Sequence, residues 1–464
     1  MNMINDFQDP SSGRENGGHR SRKNKRPFRI LWILLITCVM AGLITGGIVL
    51  LFRKDGKTNM SAVAESAKAE VVTEEETETV PETTKAAKHS SVLQTVEKAP
   101  TTETTTAPDP EAVAKKEAEK LLSSMSTEEK VAQLFFVTPE ALTGTSRVTA
   151  AGDATKQALK DCPVGGIIYF PENIVSPEQL SGMLQKTYAY SKEVEKLPVL
   201  LGTDEEGGEV ARIADNSSFS VTKFPDMKEI GAGKDPAKAY EVGDTIGKYL
   251  LQYGFNLDFA PDADVLTNPD NKVIGVRSFG SDPAVVTEMS AQVAKGLKDN
   301  GIIPVYKHFP DHGATEGDTH KGFASVNKTL DELMQAELVP FQKAVDGKEP
   351  CIMVSHISLP AIAEDSTPAS ISPKIVNDIL RKKMGYDGMV ITDAMNMGAI
   401  SENYSAGNAA VKAVQAGVDM VLMPSDFKSA YAGVLDAVKS GTITEERLNE
   451  SVLRIILMKE KYLK

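Results

Sequence analysis

Beyond residue 109 the chain alternates short apolar runs with longer amphipathic stretches. The runs at 135–138, 166–170, 199–204, 256–260, 304–308, 352–356, 389–393 and 420–423 are too short for helices, so each predicts a buried strand. Between most of them apolar residues recur at helical spacing, as over 236–253, 285–300 and 330–345, and a last amphipathic stretch covers 445–462. Ser126 and Glu129 fit a capping box ahead of Val131, Leu134 and Phe135, which predicts a helix start. Strand and helix alternate eight times, which predicts a (β/α)8 TIM-like barrel over residues 110–464; an open doubly wound sheet is the alternative. Gly231-Ala232-Gly233 follows no strand and runs on into Asp-Pro, so it reads as a turn and not as a nucleotide loop.

The pattern before residue 110 is of another kind. Residues 1–29 are polar and carry seven basic side chains, Arg14, Arg20, Arg22, Lys23, Lys25, Arg26 and Arg29. Residues 30–52 hold no charge. At about 1.5 Å per residue such a run spans a bilayer core of about 30 Å, and it lacks the polar stripe of a buried helix. It predicts an uncleaved transmembrane signal anchor. The excess of basic residues ahead of it puts the N-terminus in the cytoplasm and everything after residue 52 outside the cell membrane. Residues 53–109 are rich in Thr, Glu, Ala, Lys and Pro and poor in large apolar groups, a composition that predicts a disordered, self-repelling linker.

Charge and cysteines narrow the class. The formal net charge is −13, which argues against nucleic acid as a partner, because little would neutralise phosphates. Cys38, Cys162 and Cys351 show neither a disulfide framework nor zinc-ribbon spacing.

The chemistry gathers in one loop. Of six histidines in the chain, three lie in the stretch Lys307-His308-Phe309-Pro310-Asp311-His312-Gly313-Ala314-Thr315-Glu316-Gly317-Asp318-Thr319-His320. Pro310, Gly313 and Gly317 exclude helix and strand there, so the stretch is a loop leaving a strand end. It reads in three ways: a polar surface loop, a metal site of His308, His312, Asp318 and His320, or an acid/base pair in which Asp318 orients His320. A helix would put His308 and His312 on one face for a metal, and Pro310 and Gly313 break that helix. Other predicted strands also end in charge: Asp204-Glu205-Glu206 through Arg212 on the third, Asp258, Asp262 and Asp264 on the fourth, His356 on the sixth, and Asp393 on the seventh. Barrel enzymes place their sites at these ends. Asp393 also reads as a cap for a following helix, and Arg212 as a structural partner of Glu205 or Glu206.

The loop resembles that of family 3 glycoside hydrolases of the β-N-acetylhexosaminidase type, whose pattern runs roughly Lys-His-Phe-Pro-Gly-His-Gly, four residues, then Asp-Ser/Thr-His. Here Asp311 stands where the family has Gly. The departure either narrows the backbone freedom of the loop or adds a charge near the sugar. The resemblance covers roughly residues 120–464 and includes Asp-x-Glu-Gly-Gly-x-Val-x-Arg (204–212) and Arg-Ser-Phe-Gly (277–280). It implies Asp393 as nucleophile, Asp318 and His320 as acid/base pair, and Asp204, Arg212, Arg277, Lys307 and His308 as substrate ligands, with no metal and no cofactor. It implies a retaining exo-β-N-acetylglucosaminidase acting on terminal β-linked N-acetylglucosamine, with peptidoglycan fragments as the expected source. A β-glucosidase-like hydrolase, a phosphorylase of the same family and a non-catalytic sugar-binding barrel are the alternatives. Asp258, Asp262 and Asp264 are expected to support the site and not to touch substrate.

Overall fold

The computed structural model describes residues 110–463 apart from 195, 196, 320, 321 and 323. The expected basic tail at 1–29, anchor at 30–52 and linker at 53–109, and His320, therefore lie outside the described residues. Among those described, no helix is long and apolar enough to cross a membrane.

Eight parallel strands form the predicted barrel. They are β1 (Phe135–Val137), β2 (Gly166–Ile168), β3 (Leu200–Thr203), β4 (Leu257–Asp258), β5 (Ile303–Phe309), β6 (Cys351–Val354), β7 (Met389–Thr392) and β8 (Val421–Leu422). From β1 to β7 each pairs with its neighbours in chain order, and β8 pairs back to β1. Between β7 and β8 the ring is spanned by one parallel bridge, Ile391 to Met420, with Thr392 N–H donating to Met420 C=O at 3.0 Å. That closure decides against an open sheet.

Alternation along the strands sorts side chains into two cores. Phe136, Ile168, Leu200, Leu257, Ile303, Val305, Met353, Met389 and Ile391 fill the barrel interior. Their neighbours Leu201, Ile352, Val354 and Val390 face the surrounding helices. Inward positions 389 and 391 are followed at the same spacing by 393, and 200 and 202 by 204. Period two thus delivers Asp393 and Asp204 to the mouth. On β5 the phase breaks. Tyr306 and Phe309 both join the outer core, where strict alternation would turn 309 inward. The register against β6 shifts between Tyr306 and Phe309, and this bulge turns both Lys307 and His308 inward.

The helices begin and end on chemistry visible in the sequence. Ser126 and Glu129 cap Thr127–Gln133 reciprocally, as expected. Pro236–Tyr253 starts on an Asp235 cap with Pro at its first turn, and ends at Gly254, whose φ of +105° suits glycine. It crosses Pro283–Asp299 closely: a Cβ on Gly243 would lie 2.1 Å from the Val293 carbonyl oxygen. Two expectations fail. The helix expected over 330–345 is two, Leu330–Gln335 and Val339–Asp346. Pro340 starts the second, and between them Glu337 turns inward to accept from Thr267 Oγ1 and Lys328. Gly231-Ala232-Gly233 is the end of a helix, Met227–Gly233, and not a turn. The run after β3 is a small antiparallel hairpin, Glu205–Gly207 with Val210–Ala211.

Candidate active site

Asp204, Arg212, Arg277, Lys307, His308, Asp318 and Asp393 line a single pocket of about 590 Å³ at the C-terminal ends of the strands. Of the residues expected to do chemistry, only His320 is outside the described set. Ile168, Met353 and Leu422, all part of the barrel interior, form its floor. Glu316, a rival to Asp318 as acid, is exposed and lines no part of it.

The centre of the pocket is a charge network. Arg277 comes from the long loop after β4 and holds Glu206 with its planar fork, Nε to Oε2 at 2.8 Å and Nη2 to Oε1 at 2.7 Å. Lys307 Nζ lies 2.6 Å from Glu206 Oε1 and 2.9 Å from Asp204 Oδ1. Burial alone would push the Glu206 carboxyl up, but Arg277 and Lys307 outweigh it and hold it well below the usual carboxylate range. Burial would lower the Lys307 ammonium, yet Asp204 and Glu206 raise it. Glu206, Arg277 and Lys307 are fixed charges near neutral pH. They can orient hydroxyls but cannot exchange protons with a substrate.

Glu206 was the residue missed. The sequence offers three consecutive acids, and alternation from Asp204 selects Glu206 as the second inward one. Glu205 faces away: it accepts from Ile213 N–H at 2.8 Å, Ala214 N–H at 3.0 Å and Tyr249 Oη at 2.8 Å, and so pins the hairpin. Arg212 pairs with neither Glu205 nor Glu206. Its Nη2 lies 3.8 Å from Asp204 Oδ2, because the hairpin returns it to the end of β3.

Behind the pocket stand the supporting acids. Asp264 Oδ2 is 2.6 Å from His308 Nδ1, and its Oδ1 accepts the backbone N–H of His308 at 3.2 Å and of His312 at 2.7 Å. Burial raises the Asp264 carboxyl, but the imidazoles and the backbone donors bring it below its usual value. Arg277 Nη2 faces His308 Nε2 at 3.4 Å. Since a guanidinium only donates, Nε2 is the acceptor and Nδ1 carries the proton toward Asp264. Asp262, Asp264 and His308 bring donor atoms within 4.8 Å of one another, the spacing a metal needs. Arg277 Nη2 already sits 3.6 Å from Asp262 Oδ2 and supplies a cation there. His312 ring nitrogens lie 3.0 and 3.1 Å from the hydroxyls of Thr315 and Thr319. Both ring nitrogens of His312 are thus taken up by hydroxyls.

Asp311 explains the glycine of the family pattern. Its φ is +128°, a conformation glycine adopts without steric cost. Its carboxylate is buried and accepts from Val265 N–H at 2.6 Å and Gly313 N–H at 2.5 Å. It adds no charge to the pocket wall.

Asp393 leaves β7 with its N–H bonded to Val354 C=O at 2.8 Å, and its Oδ1 accepts from Ala394 N–H at 2.7 Å. His356 does not line the pocket. Its Nε2 lies 3.0 Å from the Ala394 carbonyl and its Nδ1 2.7 Å from Ser370 Oγ, so it props the turn that carries Asp393.

The sequence matches the glycosyl hydrolase family 3 N terminal domain over residues 126–458. Beta-hexosaminidase A of Pseudoalteromonas piscicida is 35% identical over 64% of this chain and 53% of its own length. Beta-hexosaminidase LpqI of Mycobacterium tuberculosis is 36% identical over 57% of this chain and 68% of its own. The chain thus spans about half the length of the first relative and two thirds of the second. A solved family 3 β-N-acetylglucosaminidase from Paenibacillus sp. str. FPU-7 superposes with a TM-score of 0.69 at 35% identity, covering 73% of this chain and 63% of that one. The profile match, the closed barrel and the charged strand ends agree: the chain belongs to family 3 of the glycosyl hydrolases.

Proposed function

We propose that this chain is a retaining exo-β-N-acetylglucosaminidase, tethered to the outer face of a cell membrane by residues 30–52. One observation carries the reading. Asp393 and Asp318 line the same pocket as the Asp204–Lys307–Glu206–Arg277 network. The pocket volume falls within the roughly 300–1,000 Å³ usual for small-molecule sites, and its closed floor suits a chain end and not a chain interior. In the first step the Asp393 carboxylate attacks the anomeric carbon while His320, held by Asp318, gives its proton to the departing glycosidic oxygen. A glycosyl ester on Asp393 and the free aglycone result. In the second step the same pair takes a proton from water, whose oxygen attacks the anomeric carbon and releases Asp393. The two inversions restore the β configuration. The relatives named as hexosaminidases favour an acetamido sugar, and outward tethering favours cell-wall fragments as substrate.

Charge favours water over phosphate as acceptor. Among the described lining residues five acids, Asp204, Glu206, Glu209, Asp318 and Asp393, outnumber four cations, Lys272, Lys307, Arg277 and Arg212, and the last three each face a carboxylate. A phosphate would compete with those carboxylates for the same cations.

The test uses the full chain with nitrophenyl β-N-acetylglucosaminide and nitrophenyl β-glucoside, with and without phosphate. Turnover of the acetamido sugar is expected, independent of phosphate, with Asp393→Asn lowering kcat by at least ~10³-fold. Preference for the glucoside removes the specificity, sugar 1-phosphate as product makes the protein a phosphorylase, and no turnover makes it a binding barrel. Residues 30–52 are tested by carbonate extraction of membranes, where release of the chain would sink the anchor.

A further inference from the structure

The segment that carries Asp318 is held by a side chain that never reaches the pocket. His312 is 2% exposed and lines no part of the pocket wall. Its backbone N–H is bonded to Asp264, the same carboxylate that orients His308. Its ring lies between two hydroxyls, Thr315 Oγ1 at 3.0 Å from Nδ1 and Thr319 Oγ1 at 3.1 Å from Nε2. Burial pushes this imidazole down to about 4, so the ring is neutral near pH 7 and carries one N–H. The surrounding bonds choose which nitrogen has it. Thr315 Oγ1 is 2.9 Å from the His312 carbonyl, to which its hydroxyl donates, leaving the oxygen to accept from Nδ1–H. Nε2 is then bare and accepts the hydroxyl proton of Thr319.

Thr319 is gripped from its other side as well. Its carbonyl accepts from Ala399 N–H at 3.1 Å, and Ala399 lies on the short helix Gly398–Ser401 that follows Asp393. Thr319 stands between Asp318 and His320 in the sequence. Its two bonds therefore join three parts of the site: the Asp264 support beneath the sugar-binding His308, the acid/base segment, and the turn of the nucleophile.

We propose that His312 is a positioning residue for glycosidic bond cleavage: by accepting the Thr319 hydroxyl it sets the place of the Asp318 segment relative to Asp393. The inference rests on the reading of Asp318 and His320 as the acid/base pair. It assigns to Thr319 a hydroxyl function beyond filling space, and it makes the second histidine of the loop a support for the segment instead of a ligand of the sugar.

Leaving-group dependence isolates this role. An aryl glycoside with a dinitrophenol leaving group departs without protonation, whereas an unsubstituted phenol needs the acid. Misplacing an acid by about 1 Å costs on the order of 10²-fold. Thr319→Val is expected to lower kcat/KM for the phenyl glycoside by about 10–100-fold and for the dinitrophenyl glycoside by less than about threefold. His312→Asn is expected to follow the same split, and Thr319→Ser, which keeps the hydroxyl, to recover most of the loss. Equal losses on both glycosides, or none on either, would overturn the proposal, since a general packing defect does not sense the leaving group. His320→Ala separates the two levels. If it shows the split and Thr319→Val does not, the positioning role alone is wrong; if His320→Ala shows no split, the acid/base assignment is wrong and the inference falls with it.

Discussion

Glu206 is the most constrained residue of the pocket, and its constraint is electrostatic. It meets Arg277 through both oxygens and Lys307 through one, with all three side chains nearly buried. A buried carboxylate whose partners are cations cannot be removed without leaving those cations uncompensated. Glu206→Gln keeps the shape but leaves Arg277 and Lys307 short of an acceptor, so both drift from the sugar. Losing one charge-assisted contact of this kind costs about 1.5–3 kcal/mol, or roughly 10–150-fold. Because these groups bind and do not transfer protons, the loss should fall mainly on KM, with kcat reduced less. Steady-state kinetics on an aryl N-acetylglucosaminide decides it: a fall in kcat at constant KM would mean that Glu206 acts in the chemical step. At this scale the sequence was partly legible. Asp204, Arg212, Arg277, Lys307 and His308 were placed in the pocket by motif, and the same Asp-x-Glu pattern fixes Glu206 and leaves 205 open, a signal that went unused. The inward phase of β3 supplies the physical reason once the strand end is located.

Elements explain what residues alone do not. The strands were legible because each is a short apolar run with period-two sorting, and the eight alternations matched the barrel. Their lengths were not: the run at 256–260 yields only Leu257–Asp258 as strand, although bonds to β5 run on at Ala260 and Pro261 and a parallel bridge joins Asp262 to Lys307. The bulge on β5 was also hidden. Its signature is a register shift against β6, a relation between distant segments that no local pattern encodes. The hairpin after β3 shows the same dependence on a distant partner. Glu205 fastens it to Tyr249 on Pro236–Tyr253, and the two strands of the hairpin carry Glu206 and lead into Arg212. Tyr249→Phe removes one hydrogen bond from a buried carboxylate, at a cost of about 1–3 kcal/mol. Thermal unfolding should show the destabilisation. KM should rise with it, because the hairpin that positions Glu206 and Arg212 loosens; an unchanged KM would show that the hairpin is held by its backbone bonds alone.

Across the whole barrel, buried acids answer to pH in two ways: Asp419 at one end of the strands, with Glu206 and Asp264 at the mouth, is held low, whereas Asp258, Asp262 and Asp311 at the mouth are pushed up. At the N-terminal side of β8, the buried Asp419 meets Arg381, Arg447 and Arg454 and accepts from Ser451 Oγ and Val390 N–H. Burial raises its carboxyl, but the three guanidiniums outweigh burial and hold it below its usual value. A depressed carboxyl contributes stability above its unfolded pKa and loses it as pH falls through the folded one, so this end weakens in acid. At the mouth, Asp258, Asp262 and Asp311 are buried with too few cations, and burial first, then neighbouring acids for Asp262 and Asp311, raise each well above the usual range. A raised carboxyl works the other way: its contribution is complete below the unfolded pKa of about 3.8 and is lost as pH rises toward the folded value. The melting temperature should therefore pass through a maximum instead of climbing steadily from acid. Asp311→Gly isolates the mouth. It removes one raised carboxyl, its repulsion with Asp264 and the backbone cost of φ at +128°, while giving up two accepted hydrogen bonds. At low pH the wild-type side chain is neutral and the lost bonds dominate, so the variant should melt lower or equal. As pH rises the wild type bears the growing cost of keeping a proton on Asp311 or burying its charge, and the variant does not. The difference in melting temperature, variant minus wild type, should increase from about pH 4 to about pH 8. A difference that stays flat would mean that Asp311 titrates alike in the folded and unfolded chain, and that this departure from the family pattern acts on the backbone alone.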